Sequence, residues 1–369
     1  MDWKLNWKRV VVVAGAGISF SIGSGFATGQ ETLQYWVPYG VMGLVAAAIF
    51  AIINAYVNME FIDAGKTTGS DNACDVFRYF CGKYIGTFFD WFAVLFCFMS
   101  FVVMIAGAGA TLNQHFAIPV LAGALVIAIL TGITVAFGLT RILNVLGFIG
   151  PVIIVLALAA SVIGIFAGDT GIANGIQLAT SGQYDLLSAG DTWWQACYSY
   201  LGFGMMWFAA FFAAIGKKEK NTMDAKVGNA FYNFFLGLAI IMVALAIFSN
   251  LEVVVDGGQQ IPLLALLNHA NPTLATIYSI VIFLGIYSTA TPLLWTPVQR
   301  LGKEGTSRYI IVTIALTVLG CIIGILVPFS TLMNYIYVIN GYVGGILILF
   351  IIAKRIKLQI DKKKAVPAE

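Results

Sequence analysis

Charged side chains are scarce in this sequence of 369 residues. Asp, Glu, Lys and Arg make up 10% of it, against about 25% in ordinary soluble domains. Hydrophobic side chains make up 60%, and the mean hydropathy is +0.91. This composition excludes a soluble domain. The net charge of +3 is small, so the sequence also gives no indication of a nucleic-acid partner.

Cysteine and histidine are scarce as well. The chain has five cysteines and two histidines, which suggest neither a disulfide framework nor a metal cluster. No nucleophile and base arrangement and no nucleotide-binding loop is found. We therefore expect a protein that is not an enzyme and that uses no organic cofactor.

Long apolar runs are what the sequence has instead. About 20 mostly apolar residues are needed for a helix to cross the hydrocarbon core, and ten such runs follow one another along the chain. We therefore predict an all-α polytopic membrane protein with ten transmembrane helices. Their expected limits are 9–36, 40–62, 84–112, 118–138, 142–167, 192–215, 226–250, 273–298, 308–328 and 331–353.

The basic residues predict the orientation. Cytoplasmic loops of membrane proteins collect Lys and Arg. All 20 basic residues lie before the first span or after the second, fourth, sixth, eighth and tenth spans, which is one side of the membrane. We predict a multi-pass protein of the cell (inner or plasma) membrane, with both termini in the cytoplasm.

Ten spans divide into two halves of five. Because five is odd, the second half starts on the opposite side of the membrane, so any repeat is inverted. We predict a first repeat over 1–167, an extracellular loop over 168–191, a second repeat over 192–354 and a cytoplasmic tail over 355–369.

Glycines interrupt the first span of each half. Gly23-Ser24-Gly25 lies near the middle of the first span, and Gly202-Phe203-Gly204 near the middle of the sixth. Interrupted spans at matching positions indicate a transporter's central site, so we predict that both helices are broken. The alternative is that glycine lets helices pack closely, and we favour that role for AGAG at 14–17 and AGAGA at 106–110.

These residues resemble a known family. IGSGFATGQE resembles the first-helix signature of the amino acid/polyamine/organocation superfamily, and YSYLGFG resembles the sixth-helix signature of the neurotransmitter-sodium symporters. With five plus five helices, they imply the LeuT fold. GSGFATGQE at 23–31 also resembles the YkvI-like membrane proteins.

The resemblance implies a sodium site between the first break and the eighth span. The ligands carried over are the backbone carbonyls of Ser19 and Ile22 with Gly285, Ser288 and Thr289. The alternative is that these hydroxyls only bond back to carbonyls of their own helix. Phe26 stands where the symporters' second sodium site has an asparagine, so we expect one sodium site at most. Residues 142–167 contain no Lys or Arg, which favours sodium over the lysine of some proton-coupled relatives.

The resemblance also implies where the solute binds. The carboxylate of an amino acid would lie near the amides of Gly23, Ser24 and Gly25, and its side chain would lie against the sixth span. Phe26 and Phe203 are candidate apolar lids. The residues assigned to substrate binding are Gly23, Ser24, Gly25, Phe26, Tyr198, Tyr200, Leu201, Gly202, Phe203 and Gly204.

Two acidic residues and one loop complete the predictions. Glu31, assigned with Phe203 to a gate, lies about two turns outward of the break and has no basic residue near it. It is either hydrated in an outer vestibule, protonated, or in contact with a cation such as a substrate ammonium. Asp90 has Lys83 as its nearest basic residue in the sequence. The outer segment 261–272 is apolar and is expected to form a short lid.

The sequence therefore predicts a secondary transporter. The leading hypothesis is sodium-coupled symport of an amino acid or similar small amine-bearing solute by alternating access. Its expected partners are that solute and the lipid bilayer, with no obligatory protein partner. A proton-coupled or uncoupled permease on the same fold is one alternative. A ligand-sensing membrane subunit of the germinant-receptor type is another.

Overall fold

Helices account for the secondary structure throughout the described part of the chain. A computed structural model describes residues 5–70, 73, 75–116, 118–257, 261–326 and 329–365, and these contain no strand. The helices are α1 (Trp7–Ser21), α2 (Ser24–Thr28), α3 (Gln30–Tyr35), a 3-10 turn (Val37–Tyr39), α4 (Gly40–Thr68), α5 (Asp75–Phe116), α6 (Val120–Ala136), α7 (Leu139–Ala167), α8 (Ile172–Thr180), α9 (Trp193–Lys218), α10 (Thr222–Ser249), α11 (Leu251–Asp256), α12 (Pro262–Ala270), α13 (Pro272–Leu301), α14 (Ser307–Leu326), α15 (Phe329–Gly345) and α16 (Leu347–Ala365).

These helices account for the ten predicted spans. Within the described residues, eight stretches are long and apolar enough to cross a membrane, and α6 is a shorter apolar helix. The first predicted span is divided among α1, α2 and α3, and the tenth between α15 and α16. The prediction of an all-α polytopic membrane protein is confirmed.

The first span is broken, as predicted. α1 ends at Ser21, Gly23 is extended, and α2 begins at Ser24. The structure adds a second interruption that the sequence analysis did not predict. Gly29 has a left-handed backbone (φ 83°) and joins α2 to α3; glycine adopts this conformation without the steric cost that other residues meet.

The sixth span is not broken, and that prediction was wrong. α9 runs without interruption from Trp193 to Lys218. A methyl group placed on Gly202 would lie 1.8 Å from the carbonyl oxygen of Gly341, and one on Gly344 would lie 2.1 Å from the carbonyl oxygen of Gly202. Glycine is therefore required here because the backbones of α9 and α15 touch, which is the packing role that small residues have in membrane helices.

The glycines expected to serve packing do so. A methyl group on Gly15 would lie 2.5 Å from the carbonyl oxygen of Gly147, so α1 and α7 cross in close contact. In the 106–110 segment, a methyl group on Gly109 would lie 2.8 Å from the carbonyl oxygen of Val120. These close approaches hold α1 and α5 in place around the break.

Ion pairs gather at one end of the bundle. Arg9 at the start of α1 pairs with Glu219 just after α9. Lys226 in α10 lies 2.6 Å from Asp63 in α4, and the Lys66 ammonium donates to the carbonyl of Glu219. Basic residues from separate predicted cytoplasmic loops thus meet at one end of the molecule. Which side of the membrane this end faces stays a prediction.

Two short helices lie at the other end. The 261–272 segment contains α12, whose Leu263 and Leu267 are buried, so the expected short lid is present as a helix. Leu263 lies against Gly29: a methyl group placed on Gly29 would be 3.1 Å from its Cγ. α8, inside the predicted 168–191 loop, was not expected from the sequence.

Candidate ion and solute site at the broken helix

The end of α1 meets α13 through a cluster of oxygen atoms. Ser288 Oγ donates to the carbonyl of Ser19 (2.8 Å), and Thr289 Oγ1 lies 3.1 Å from the same oxygen and 2.8 Å from the carbonyl of Phe20. A methyl group on Gly285 would lie 2.6 Å from the carbonyl oxygen of Ile22. The structure thus brings together all five residues predicted for the sodium site. Phe20 is an addition.

This cluster has the chemistry of a hard-cation site. Its members are carbonyl and hydroxyl oxygens, the ligand type of hard cations, and Ser19, Ser288 and Thr289 are fully buried. The hydroxyls contact carbonyls of α1 as well as one of their own helix, at Gly285. The alternative that they only bond back within α13 is therefore excluded. That the cluster holds sodium stays a prediction.

Glu31 points back into the protein at the break. It is 2% exposed, and a methyl group on Gly25 would lie 2.2 Å from Oε1 and 2.7 Å from Cδ of Glu31. Tyr200 of α9 donates its hydroxyl hydrogen to Oε2 over 2.9 Å, whereas Oε1 has no hydrogen-bond partner among the described residues. The carboxylate therefore lies between α2 and α9.

This geometry corrects the hydrated-vestibule interpretation of Glu31. The residue is outward of the break in sequence, but the left-handed turn at Gly29 and the missing side chain of Gly25 let its side chain fold back onto α2. The carboxylate lies beside the Gly23–Gly25 segment, where the sequence analysis placed the carboxylate of an amino acid. In this structure that place is taken by the protein's own acid.

Aromatic rings surround the Glu31 carboxylate. Tyr200, its hydrogen-bond partner, packs against Tyr35 (4.9 Å between ring centroids), Trp36 (5.1 Å) and Phe203 (4.6 Å). Phe203 stacks on Tyr337 of α15 at 5.3 Å. We call these five residues the aromatic cluster. Each of them is at most 4% exposed.

The predicted residues of α9 fall on two sides of that helix. Tyr200 and Phe203 belong to the aromatic cluster. Gly204 lies beside Asn54 of α4, 3.9 Å from its Oδ1. Tyr198 lies instead against Gly345 and Tyr342 of α15, as Gly202 lies against Gly341. Tyr198 and Gly202 are thus not brought to Glu31.

The remaining predicted residues lie in the core around the break. Ser24 contacts Met104 of α5: its amide and its hydroxyl lie 3.4 and 3.5 Å from the sulfur. A methyl group on Gly23 would lie 3.0 Å from Cγ2 of Thr289, so the break and the oxygen cluster adjoin. Phe26 and Leu201 are buried in the same core.

Several site residues were missed by the sequence analysis. Tyr35 and Trp36 follow Glu31 directly in the chain, and the unusual aromatic density of this span is a signal that could have found them. Tyr337 comes from α15, about 300 positions away, and no local pattern connects it with Glu31. Met104 likewise carries no local signal.

A buried polar network fastens the end of α1 to two other spans. Ser21 Oγ lies 2.7 Å from the hydroxyl of Tyr232, and Asn54 donates to that hydroxyl (3.3 Å) and to Oδ1 of Asn233 (2.8 Å). The network joins α1 to α4 and α10. Asparagines inside spans are rare and functional or structural by default, so their positions in the sequence were an available signal.

The two ends of the bundle differ in access to the site. On the α12 side, Glu31, Thr32 and Trp36 are at most 2% exposed, and the lid covers Gly29. At the ion-pair end, a cavity of about 590 Å³ is lined by α4, α9 and α13, with Trp295 and Gln299 among its residues. The structure is thus closed at the lid end and hollow at the ion-pair end.

Asp90 connects α5 to α13 beside this cavity. It is fully buried, and its carboxylate accepts hydrogen bonds from Arg300 (2.9 and 3.1 Å) and from Arg78 (2.9 Å). Lys83, the partner suggested by the sequence, lies instead near the ring of Tyr84. The partner was mispredicted because Arg300 is distant in sequence.

Comparison with known proteins gives one relative in sequence and many similar structures. No family model matches the chain. The uncharacterized protein YyaD of Bacillus subtilis (strain 168) is 23% identical over 350 residues, which cover 92% of this chain and 94% of the relative. This similarity assigns no activity.

The similar structures are all of transporters. MhsT in complex with L-phenylalanine has a TM-score of 0.66 at 18% identity, covering 94% of this chain and 88% of MhsT. A Na+-coupled sialic acid symporter in a substrate-bound outward-open state has a TM-score of 0.65 at 14% identity (93% and 78% covered). Mhp1, a nucleobase-cation-symport-1 family transporter, has 0.63 at 13% identity (88% and 74% covered). The chain has the LeuT fold.

Proposed function

We propose that this protein is a secondary active transporter that couples inward movement of sodium to symport of an amino acid or similar small amine-bearing solute. One observation carries the proposal: the hydroxyls of Ser288 and Thr289 in α13 meet the carbonyls that the break frees at the end of α1. Non-helical backbone is tolerated at membrane depth only inside protein or beside a watery cavity. Freed carbonyls at such a half-helix end bind coupling cations in transporters.

The position of the oxygen cluster provides a coupling mechanism. A cation bound there would contact α1 and α13 together and hold the broken span against α13. Gly23 separates this cluster from Gly25 and Glu31 by only a few residues, so ordering of the break by the ion would also order the solute site. An ion that binds one conformation better shifts the population towards it.

Alternating access is supported by the asymmetry between the two ends. The lid α12 covers the break on one side, and the cavity of about 590 Å³ opens on the other. We propose the five-plus-five inverted repeat over 1–167 and 192–354 as the basis for interconverting this state with its opposite. The fold shared with MhsT and the sialic acid symporter supports both solute symport and sodium coupling.

A solute screen followed by uptake tests the proposal. Purified protein is screened by thermal shift against amino acids and amines, in NaCl and in KCl, and each stabilising compound is then followed into proteoliposomes with an inward sodium gradient. We expect sodium-dependent accumulation. The double substitution Ser288→Ala with Thr289→Ala should lower the apparent sodium affinity by about tenfold or more, because a polar contact to a charge contributes about 1.5–3 kcal/mol.

Thr291 offers a matched control on the same helix. Its hydroxyl donates to the carbonyl of Tyr287 in its own helix (2.9 Å), so Thr291→Ala should leave the sodium dependence unchanged. Uptake that is equal in sodium and potassium would contradict sodium coupling. Solute binding without any uptake would favour the sensor alternative instead.

A proton-coupled permease is the second candidate, and Glu31 is the observation that favours it. A buried carboxylate with one hydrogen bond and no ion pair among the described residues could carry a proton across the membrane. Uptake driven by a proton gradient in potassium buffer, and abolished by Glu31→Gln, would establish that mechanism over sodium symport.

A further inference from the structure

We propose that the solute is a small organic ammonium ion without a carboxylate next to its amino group, and that Glu31 is the residue that binds the ammonium. This inference rests on the proposed transport function and narrows its substrate class from amino acids and amines to amines. Four features of the broken span and its surroundings carry it.

The first feature is that the place for a solute carboxylate is already filled. Glu31 lies so close to α2 that even a methyl group on Gly25 would be 2.2 Å from Oε1. A second carboxylate could not share this place with the first. Two carboxylates side by side also repel each other unless one is protonated. An amino acid bound in the expected orientation would meet both obstacles.

The second feature is an unmet negative charge. Oε2 accepts the Tyr200 hydroxyl hydrogen, and Oε1 accepts nothing from the described residues. No ion pair of those residues includes Glu31, and all 20 Lys and Arg of the chain belong to the predicted cytoplasmic segments. A buried charge requires a partner, and the protein supplies no cation here. A cationic solute would be that partner.

The third feature is the aromatic cluster. Tyr35, Trp36, Tyr200, Phe203 and Tyr337 lie around the carboxylate with their rings in contact. Aromatic faces attract ammonium groups, and aromatic cages are a common means of binding methylated amines. A carboxylate beside such rings would select a cation that carries apolar carbon, rather than a small metal ion.

The fourth feature is a free phenol at the far side of the cluster. The Tyr337 hydroxyl is buried and has no hydrogen-bond partner among the described residues. It offers one polar contact for the solute beyond the ammonium-binding end. Apart from Glu31, the residues of the site are neutral. A solute with one positive charge and an uncharged remainder fits this set of contacts.

Matched pairs of compounds test the proposal. The panel consists of the amines formed by decarboxylation of the common amino acids, each with its parent amino acid, together with choline and glycine betaine. Within each pair the carboxylate is the difference. Binding to the purified full-length protein is measured by thermal shift and then by calorimetry, in NaCl. We expect at least one amine to bind at least tenfold more tightly than its carboxylated counterpart.

Glu31→Gln identifies the residue responsible. We expect this substitution to weaken binding of that amine at least tenfold, and Glu252→Gln, which removes an exposed carboxylate from α11, to leave it unchanged. Folding of each variant is checked by size-exclusion chromatography and circular dichroism. If Glu31→Gln does not fold, Tyr200→Phe replaces it; loss of the hydrogen bond to Glu31 should weaken the amine severalfold.

Three results would overturn the proposal. The first is an amino acid that binds as tightly as its amine or more tightly. The second is unchanged amine affinity in Glu31→Gln, because glutamine imitates a protonated glutamate and would show that the acid binds neutral. The third is a panel in which no amine binds. Failure of the proposed function looks different: it appears as loss of sodium-driven uptake, whatever the ratio of amine to amino acid.

Discussion

The first and sixth spans carry similar glycine pairs and yet differ in structure. Gly23 and Gly25 lie at a real break in the first span, whereas α9 passes through Gly202 and Gly204 as an unbroken helix. The neighbours of the glycines explain the difference. Gly25 faces the flexible side chain of Glu31, and Gly202 faces the backbone of α15.

A break needs polar partners as well as glycine. At the end of α1 the carbonyls of Ser19 and Phe20 are met by the hydroxyls of Ser288 and Thr289. At Gly202 the neighbours are Gly341 and Gly345 of α15, which have no polar side chain to offer. Because an unpaired backbone group costs several kcal/mol in lipid, the helix in α9 stays intact. Glycine pairs in spans therefore indicate close approach, and a break only where hydroxyls or charges are available.

The largest expected effect comes from adding a methyl group to α9. Gly202→Ala places Cβ 1.8 Å from the carbonyl oxygen of Gly341, and neither backbone can yield cheaply, so we expect a loss of about 3 kcal/mol in the free energy of unfolding. Gly204→Ala is the control: its Cβ would meet nothing closer than 3.9 Å. Alanine there should be neutral or stabilise the helix by up to about 1 kcal/mol.

Thermal and denaturant unfolding of both variants in detergent compares them. Equal destabilisation by Gly202→Ala and Gly204→Ala would contradict the account of α9 as a continuous helix held against α15 by glycine.

An intermediate effect is expected at Gly25. Gly25→Ala places Cβ 2.2 Å from Oε1 of Glu31, but a side chain can turn away, so we expect a stability change below about 1 kcal/mol. Solute affinity should fall about tenfold, since the displaced carboxylate no longer lies at the break. Calorimetry with the best amine from the panel measures this.

A double-mutant cycle sharpens the result. In a Glu31→Ala background nothing occupies the space beside Gly25, so Gly25→Ala should have little further effect on affinity or stability. Additive effects of the two substitutions would show that Gly25 and Glu31 act independently.

The smallest expected effect is at Gly29, the corner between α2 and α3. Gly29→Ala forces alanine into a left-handed backbone, which costs about 1–2 kcal/mol. Gly69 has a similar left-handed backbone after α4, with nothing near it, so Gly69→Ala is a matched control for the backbone cost. Both should lower the unfolding midpoint by similar amounts.

Only Gly29→Ala should also lower solute affinity, because Gly29 sets the direction of Glu31 and lies under Leu263 of the lid. Equal solute affinity in the Gly29 and Gly69 variants, measured by calorimetry, would separate the corner from the solute site.

Much of the fold was predictable from the sequence, and the direction of one side chain was not. Apolar runs of span length determine the helices whatever their neighbours, and the break at Gly23 is where helix propensity is lowest. The residues of the oxygen cluster followed from the resemblance of the first and eighth spans. These predictions depend on local composition and on motifs within single spans.

The position of the Glu31 carboxylate depends on contacts between distant elements. It requires the left-handed corner at Gly29, the space left by Gly25, the lid residue Leu263 and the hydroxyl of Tyr200 in α9. The continuity of α9 likewise depends on α15, about 140 residues away. Sequence patterns within one span carry no information about such partners, which is why both were mispredicted.

Sodium binding at the oxygen cluster is the central claim, and hydrogen–deuterium exchange of the purified protein tests it without knowledge of the solute. Exchange is compared in NaCl and in KCl at equal ionic strength. The account predicts that sodium slows exchange in peptides covering 18–25 and 285–290, in the wild type and in Thr291→Ala, and not when Ser288 and Thr289 are both alanine. Identical exchange of these peptides in sodium and potassium would contradict it.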